Sequence, residues 1–230
     1  MTKANRKVGL GVMGFADMLI LLGIPYDSAK AIETARQVMG FIQQTARQAS
    51  AELAQLRGPF PNFKGSVYDD GKTPPLRNAT VTTIAPTGTI SIIAGCSSGI
   101  EPLFAIAYTR NVMDNDELIE VNPLFEQMAK RDGFYSPELM KIVAKKGSAR
   151  GIEEVPERIQ GLFATAHDIE PKYHVRIQAA FQEFTDNAVS KTVNLRHEAT
   201  RDDVSDVFWE AHKLGCKGIT IYRDGSRSSQ

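Results

Sequence analysis

Ala79-Thr80-Val81-Thr82-Thr83-Ile84-Ala85-Pro86-Thr87-Gly88-Thr89-Ile90-Ser91 reads as a buried strand running into a hydroxyl-rich turn that opens a short apolar helix. The β-branched run from Thr80 to Ile84 favours extended backbone, and Pro86, with no amide to give to a ladder, ends the pairing. Gly88 lets the chain turn tightly and lets a ligand come close. A helix beginning near Thr89 would leave its first-turn amides unpaired, and the hydroxyls of Thr87, Thr89 and Ser91 stand beside them. Such a turn suits an anion, with phosphate the natural guest. The same residues would equally serve an ordinary turn in which a threonine caps a helix. No lysine follows the glycine as in Walker A, and the G-x-G-x-x-G spacing is missing, so the familiar nucleotide loops do not apply.

Upstream, the dense apolar positions from Arg6 to Leu22 predict a buried helix, in which Gly9, Gly11 and Gly14 allow another backbone to approach. Pro25 and Asp27 end it, and helical spacing resumes from Ala29 to about Leu56. Glycines and prolines between Gly58 and Pro75 then interrupt regular structure, a loop long enough to suggest a functional or interface role. Downstream, Ala94-Gly95-Cys96-Ser97-Ser98-Gly99-Ile100-Glu101-Pro102 is a second turn of small residues, able to pack closely over a ligand. A strand is expected from Phe104 to Val112, an amphipathic helix from Asn115 to Lys130, and short helices from Pro137 to Gln160. The basic residues Lys141, Lys145, Lys146 and Arg150 read as a solvated face.

The last third is the most regular. A helix opened by Glu170-Pro171 runs to about Asp186, the strand Lys191–Leu195 follows, a capping box at Thr200–Asp203 opens another helix ending at Gly215, and Lys217 to Arg223 forms a strand. Helix, strand, helix, strand at this spacing implies parallel pairing through right-handed crossovers. The fold class is therefore α/β, a sheet or part of a barrel, with ligands at the carboxyl ends of strands. The chain enters a buried helix almost at once, ends soon after a strand and shows few strands for a closed barrel, which suggests an incomplete unit that needs a partner chain.

With 230 residues, 42% of them hydrophobic, the chain can bury a sizeable core as a single domain, residues 1–230. Basic and acidic residues number 27 each, so no global field draws nucleic acid or an anionic membrane, and any anion binding must be local. No apolar run is long enough to span a bilayer and the first residues lack the core of a signal peptide, which points to the cytoplasm. Cys96 and Cys216 have no metal-ligand spacing and read as small core residues, and the four histidines, His167, His174, His197 and His212, read as structural or surface groups.

Five ordered motifs resemble one family: Val8-Gly9-Leu10-Gly11-Val12-Met13-Gly14-Phe15, Ala85 to Ser91, Ser98-Gly99-Ile100-Glu101-Pro102, Ser190-Lys191-Thr192-Val193-Asn194-Leu195, and Leu214-Gly215-Cys216-Lys217-Gly218-Ile219. Their order and spacing are similar to the C-terminal part of adenosylcobalamin-dependent (class II) ribonucleotide reductase. The resemblance implies part of a ten-stranded α/β barrel, incomplete alone, and the small component of a split enzyme. It implies that Pro86, Thr87, Gly88, Thr89, Ile90 and Ser91 bind the diphosphate of the ribonucleotide substrate. It implies adenosylcobalamin as the cofactor of the assembled enzyme, and a larger partner component carrying the radical cysteine and the redox pair, none of which falls in this chain. Cys96 and Cys216 match neither role, so the chain alone should be inert. Iron-dependent members carry two adjacent tyrosines where Thr220 and Ile221 stand here, which favours a radical made in place from the cobalamin. Arg196 stands where proline is expected after Asn194-Leu195, leaving the exit of that strand open. A non-catalytic module binding nucleoside diphosphates is the alternative of a different class.

Overall fold

Helices and strands follow in the order α1 (Thr2–Asn5), α2 (Phe15–Leu21), α3 (Ala29–Arg57), α4 (Gly88–Ala94), β1 (Ala107–Val112), β2 (Asp116–Val121), α5 (Pro123–Arg131), α6 (Pro137–Lys146), α7 (Glu157–Leu162), α8 (Pro171–Gln182), β3 (Thr192–Leu195), α9 (Arg201–Lys213) and β4 (Thr220–Arg223). The computed structural model describes residues 1–112 and 116–226.

The β-branched run lies inside, with Thr82 fully buried and Val81 and Ile84 nearly so. Extended chain flanks it on both sides: Leu10 pairs with Thr82 and Val189 with Ile84, both in parallel. The Val8 and Leu10 amides donate to the Thr80 and Val81 carbonyls at 3.0 and 2.8 Å, and the Ser190 amide donates to the Ile84 carbonyl at 2.9 Å. The segment through Val189 leads into β3, which pairs in parallel with β4 from Thr192↔Thr220 to Leu195↔Arg223. The extended segments thus lie side by side in the order 8–10, 80–84, 187–195, 220–223.

One face of this slab is packed by helices. Val193 and Leu195 are buried with Val175 of α8 and Val207 and Ala211 of α9. Ser28 caps α3, its hydroxyl accepting from the Ala31 amide at 3.1 Å. The buried stripe of α3 at Ala31, Ala35 and Met39 belongs to the main core with Ile177, Ala180 and Phe181 of α8, and Phe15 of α2 meets Phe181 edge-on at 5.0 Å. The small side chains of α3 let α8 approach closely, so this helix pair backs the slab as a rigid layer.

Two expectations change. The helix expected from Arg6 to Leu22 is confined to Phe15–Leu21, because Gly14, at φ 79, starts it and Val8 and Leu10 before it pair as extended chain with Thr80 to Thr83. The reading of Gly9 and Gly11 as points of close approach holds on the strand instead: a Cβ at Gly11 would lie 2.2 Å from the Thr83 carbonyl oxygen. Gly11→Ala should therefore push the two strands apart and lower stability by about 2 kcal/mol, measured by urea denaturation. The helix expected from Asn115 to Lys130 begins only at Pro123, after β2; Asn115 itself lies outside the described residues. Asn122 caps this helix through the Leu124 amide and Pro123 occupies its first turn, a start that the amphipathic pattern further upstream obscured.

Smaller differences follow local chemistry. β1 starts at Ala107, and Phe104 stays outside it and exposed. The loop from Gly58 to Pro75 is pinned by an aromatic cluster in which Phe60 meets Phe63 and Tyr68 edge-on. Lys141, Lys145, Lys146 and Arg150 are exposed, as expected of a solvated face. Among the described residues, no helix is long and apolar enough to cross a membrane.

Candidate functional site

At the carboxyl end of the central segment the chain turns sharply. Thr87 takes a left-handed conformation at φ 56, sparsely populated for a β-branched residue, and α4 starts at the next position. Its side chain makes no capping bond to that helix. The Thr87 hydroxyl instead accepts from the Gly99 amide at 2.7 Å, while the Ser98 hydroxyl donates to the Pro86 carbonyl at 2.6 Å. The ordinary capped-helix arrangement is thus absent, and the Gly88, Thr89 and Ile90 amides have no acceptor among the described residues. Pro86, Gly88, Thr89 and Ile90 are exposed, and a Cβ at Gly88 would meet nothing within 4 Å. Ser91 is the exception within the stretch: it is buried, and its hydroxyl donates to the Gly88 carbonyl at 3.0 Å, so it stiffens the turn from beneath.

Beside this turn, the candidate cradle for an anion, lies an open cleft of about 650 Å³, to which Ser98 and Glu101 of the second turn contribute. Its other wall is the uncovered face of the slab. Thr192 and Asn194 alternate with the buried Val193 and Leu195, and the register sets Thr220 and Tyr222 beside them. Ser98 belongs to both places, so a ligand with its phosphates over Gly88 could extend into the cleft.

Under the cleft sits a polar cluster that the linear pattern did not reveal. Lys191 is 1% exposed and donates to Glu101 Oε2 at 2.6 Å, to the Thr192 carbonyl at 2.6 Å and to His174 Nδ1 at 2.9 Å. The other ring nitrogen of His174 pairs with the Ala166 carbonyl at 3.1 Å, which requires the proton on Nε2. Burial first, and then the Lys191 charge, push the imidazole pKa down to about 2, so His174 is neutral. Burial likewise pushes the Lys191 pKa down, while Glu101 opposes the shift. A buried lysine can be recognised only once its partners are in place: Glu101 is 90 positions away in sequence.

A profile of the family described as "Ribonucleotide reductase, barrel domain" matches residues 1–222. The chain belongs to the ribonucleotide reductase barrel family. A vitamin B12-dependent ribonucleoside-diphosphate reductase of Thermoplasma acidophilum is 52% identical over 229 residues, covering 100% of this chain and 30% of that protein. A reductase of the same name from Mycobacterium tuberculosis is 50% identical over 228 residues, covering 99% of this chain and 32% of that one. Among solved structures, the Actinobacillus ureae class Id ribonucleotide reductase alpha subunit superposes with a TM-score of 0.82 at 25% identity, over 97% of this chain and 40% of the subunit. The chain spans about a third of the length of the curated relatives it matches. Its parallel slab is accordingly a portion of the reductase barrel, with helices packed on one face and the cleft on the other.

Other residues singled out in this part of the reductase barrel fall as follows. Cys96 and Cys216 are half-buried free thiols; Cys216 packs against the cluster of Val193 and Val207, as expected of a small core residue, and burial pushes its thiol up. Thr220 and Ile221 line the cleft beside Tyr222. Arg196, at the exit of β3, donates to the His167 carbonyl at 3.0 Å and ties the strand end to the loop before α8.

Proposed function

We propose that this chain forms the C-terminal part of the barrel of a vitamin B12-dependent ribonucleoside-diphosphate reductase and holds the substrate diphosphate at Pro86–Ser91. The observation that carries the reading is the uncapped turn: three successive amides, Gly88 to Ile90, without acceptors among the described residues, at a glycine whose side-chain direction is open space. Three such donors suit the charge of a phosphate group, and hydrogen bonds to charged groups contribute about 1.5–3 kcal/mol each. The names of the Thermoplasma acidophilum and Mycobacterium tuberculosis relatives support the diphosphate over the triphosphate.

The radical cysteine and the redox cysteine pair lie on a larger complementary component, and this chain completes the chamber. α4 leaves Ile92 and Ile93 about 80% exposed, an apolar face that cover by the rest of the barrel would bury. The chain's residues fit adenosylcobalamin as one wall only: Phe104, 67% exposed at the edge of the cleft, and Ile221 offer apolar surface that a large flat group could cover. When bound, the cofactor supplies the radical that starts the chemistry. This chain's part is to anchor the diphosphate and to present the Thr192 and Asn194 side of the slab to the rest of the nucleotide.

The test is deoxyribonucleotide formation from a ribonucleoside diphosphate with adenosylcobalamin and a dithiol, using this chain, the larger component and their mixture. Activity in the mixture alone is the expected result. Full activity of the larger component by itself, unchanged on mixing, would remove this chain from catalysis and leave a module that only binds nucleotide.

A further inference from the structure

Lys191 is a buried cation that the anchoring of phosphate does not use directly. An ammonium has three protons, and here each has an acceptor, on Glu101, Thr192 and His174. A neutral amine could serve only two of them, so the geometry is that of the charged form. A charge in such a place is costly, and an apolar side chain of similar volume would fill the core as well. Packing alone gives no reason for it.

From this ammonium a continuous run of hydrogen bonds reaches the cradle. The second oxygen of Glu101 accepts from the Thr192 amide at 2.7 Å, so the carboxylate is held at both ends. The Glu101 amide donates to the Ser98 carbonyl at 2.9 Å and closes the turn. Ser98 and Gly99 then grip the Pro86 carbonyl at 2.6 Å and the Thr87 hydroxyl at 2.7 Å. Thr87 is the residue whose left-handed backbone directs the amides that follow it, a conformation that persists only where its surroundings hold it.

We propose that Lys191 is a positioning residue for the substrate diphosphate: by clamping Glu101 it fixes the 98–101 turn against Pro86 and Thr87, so that the cradle is formed before substrate arrives. The proposal rests on the reading of residues 86–91 as the phosphate site. Lys191 itself touches no substrate atom; it lowers the cost of ordering the loop on binding.

In the assembled reductase, Lys191→Met should raise KM for the ribonucleoside diphosphate about tenfold and the inhibition constant of inorganic pyrophosphate by the same factor, with kcat changed less than about twofold. Glu101→Gln should act in the same direction, and the double variant should be no worse than the worse single one, because both break one path. Ser98→Ala cuts that path at its half-buried end without stranding a charge. It should raise KM about threefold, and it decides the matter if Lys191→Met does not fold. Variants that melt earlier yet keep the parent KM and pyrophosphate inhibition would overturn the proposal, as would a parent-like KM in Ser98→Ala. If those variants are parent-like while Gly88→Val loses affinity, the positioning role alone is wrong; if Gly88→Val is itself parent-like, the phosphate site is wrong.

Discussion

Gly88→Val is expected to raise KM for the ribonucleoside diphosphate about 100-fold in the assembled reductase and to shift the melting temperature by no more than about 3 °C. The two effects separate because of where the side chain goes. A Cβ at Gly88 meets no protein atom within 4 Å, and Gly88 is not among the glycines with positive φ, so the fold tolerates the substitution. The added methyls fill the space over the first-turn amides. Losing about two charge-assisted hydrogen bonds, offset by partial rearrangement of the phosphate, leaves a deficit of about 3 kcal/mol. Steady-state kinetics and a thermal melt on the same preparation check both halves. An unchanged KM would mean that the diphosphate binds elsewhere.

Asp186→Ala is expected to cost about 3 kcal/mol of stability, the largest effect on folding among the substitutions considered. The Asp186 side chain is 6% exposed and lies beside the start of the central segment, against Val81. It accepts from the Val81 amide at 2.6 Å, from Arg47 at 2.6 Å and from Gln43 at 2.7 Å. Removing it leaves the buried Val81 amide without its acceptor and takes a partner from Gln43 and from Arg47, which keeps its bond to Tyr68. Burial alone would raise the carboxyl pKa, but the bonds from Val81, Arg47 and Gln43 outweigh it and hold the value below the usual carboxylate range. The folded value is therefore lower than the unfolded one, near 3.9. Asp186 contributes its stabilisation above that unfolded value, and the contribution is lost as pH falls through the lowered folded value. Urea midpoints measured from pH 7 downward should fall in the parent below about pH 4 and fall less in Asp186→Ala. Parallel curves would assign the acid sensitivity to other carboxylates.

Much of this was legible in sequence where one segment carries its own instructions. The β-branched run followed by Pro86 and Gly88 specifies strand, stop and turn locally, and the capping box at Thr200–Asp203 forms as written, with the Thr200 hydroxyl accepting from the Asp203 amide and the Asp203 carboxylate from the Thr200 amide. The parallel pairing of β3 with β4 followed from the spacing of the helix between them. Reading failed where two periods fit the same residues. Val8, Leu10 and Val12 satisfy both a helix and a strand, and contact with Thr83 rather than propensity settles the matter. In the same way the apolar positions before Pro123 belong to β2, because pairing with β1 overrides the helical pattern.

Within the candidate site, the turn at Pro86–Gly88 and the helix after it were readable, but the division of labour among its hydroxyls was not. Thr87 and Ser91 resemble ligands in sequence, yet both use their hydroxyls to shape the turn. The Lys191–Glu101–His174 cluster joins residues of the second turn, α8 and the start of β3, and only the folded chain brings them together.

The most direct measurement is the amide 15N–1H shifts of Gly88, Thr89 and Ile90 in the assembled reductase during titration with a ribonucleoside diphosphate. The account predicts that these three signals move together and saturate with the substrate, and that inorganic pyrophosphate alone moves them in the same sense. Substrate that binds and is reduced while these three amides stay at their original positions would contradict it.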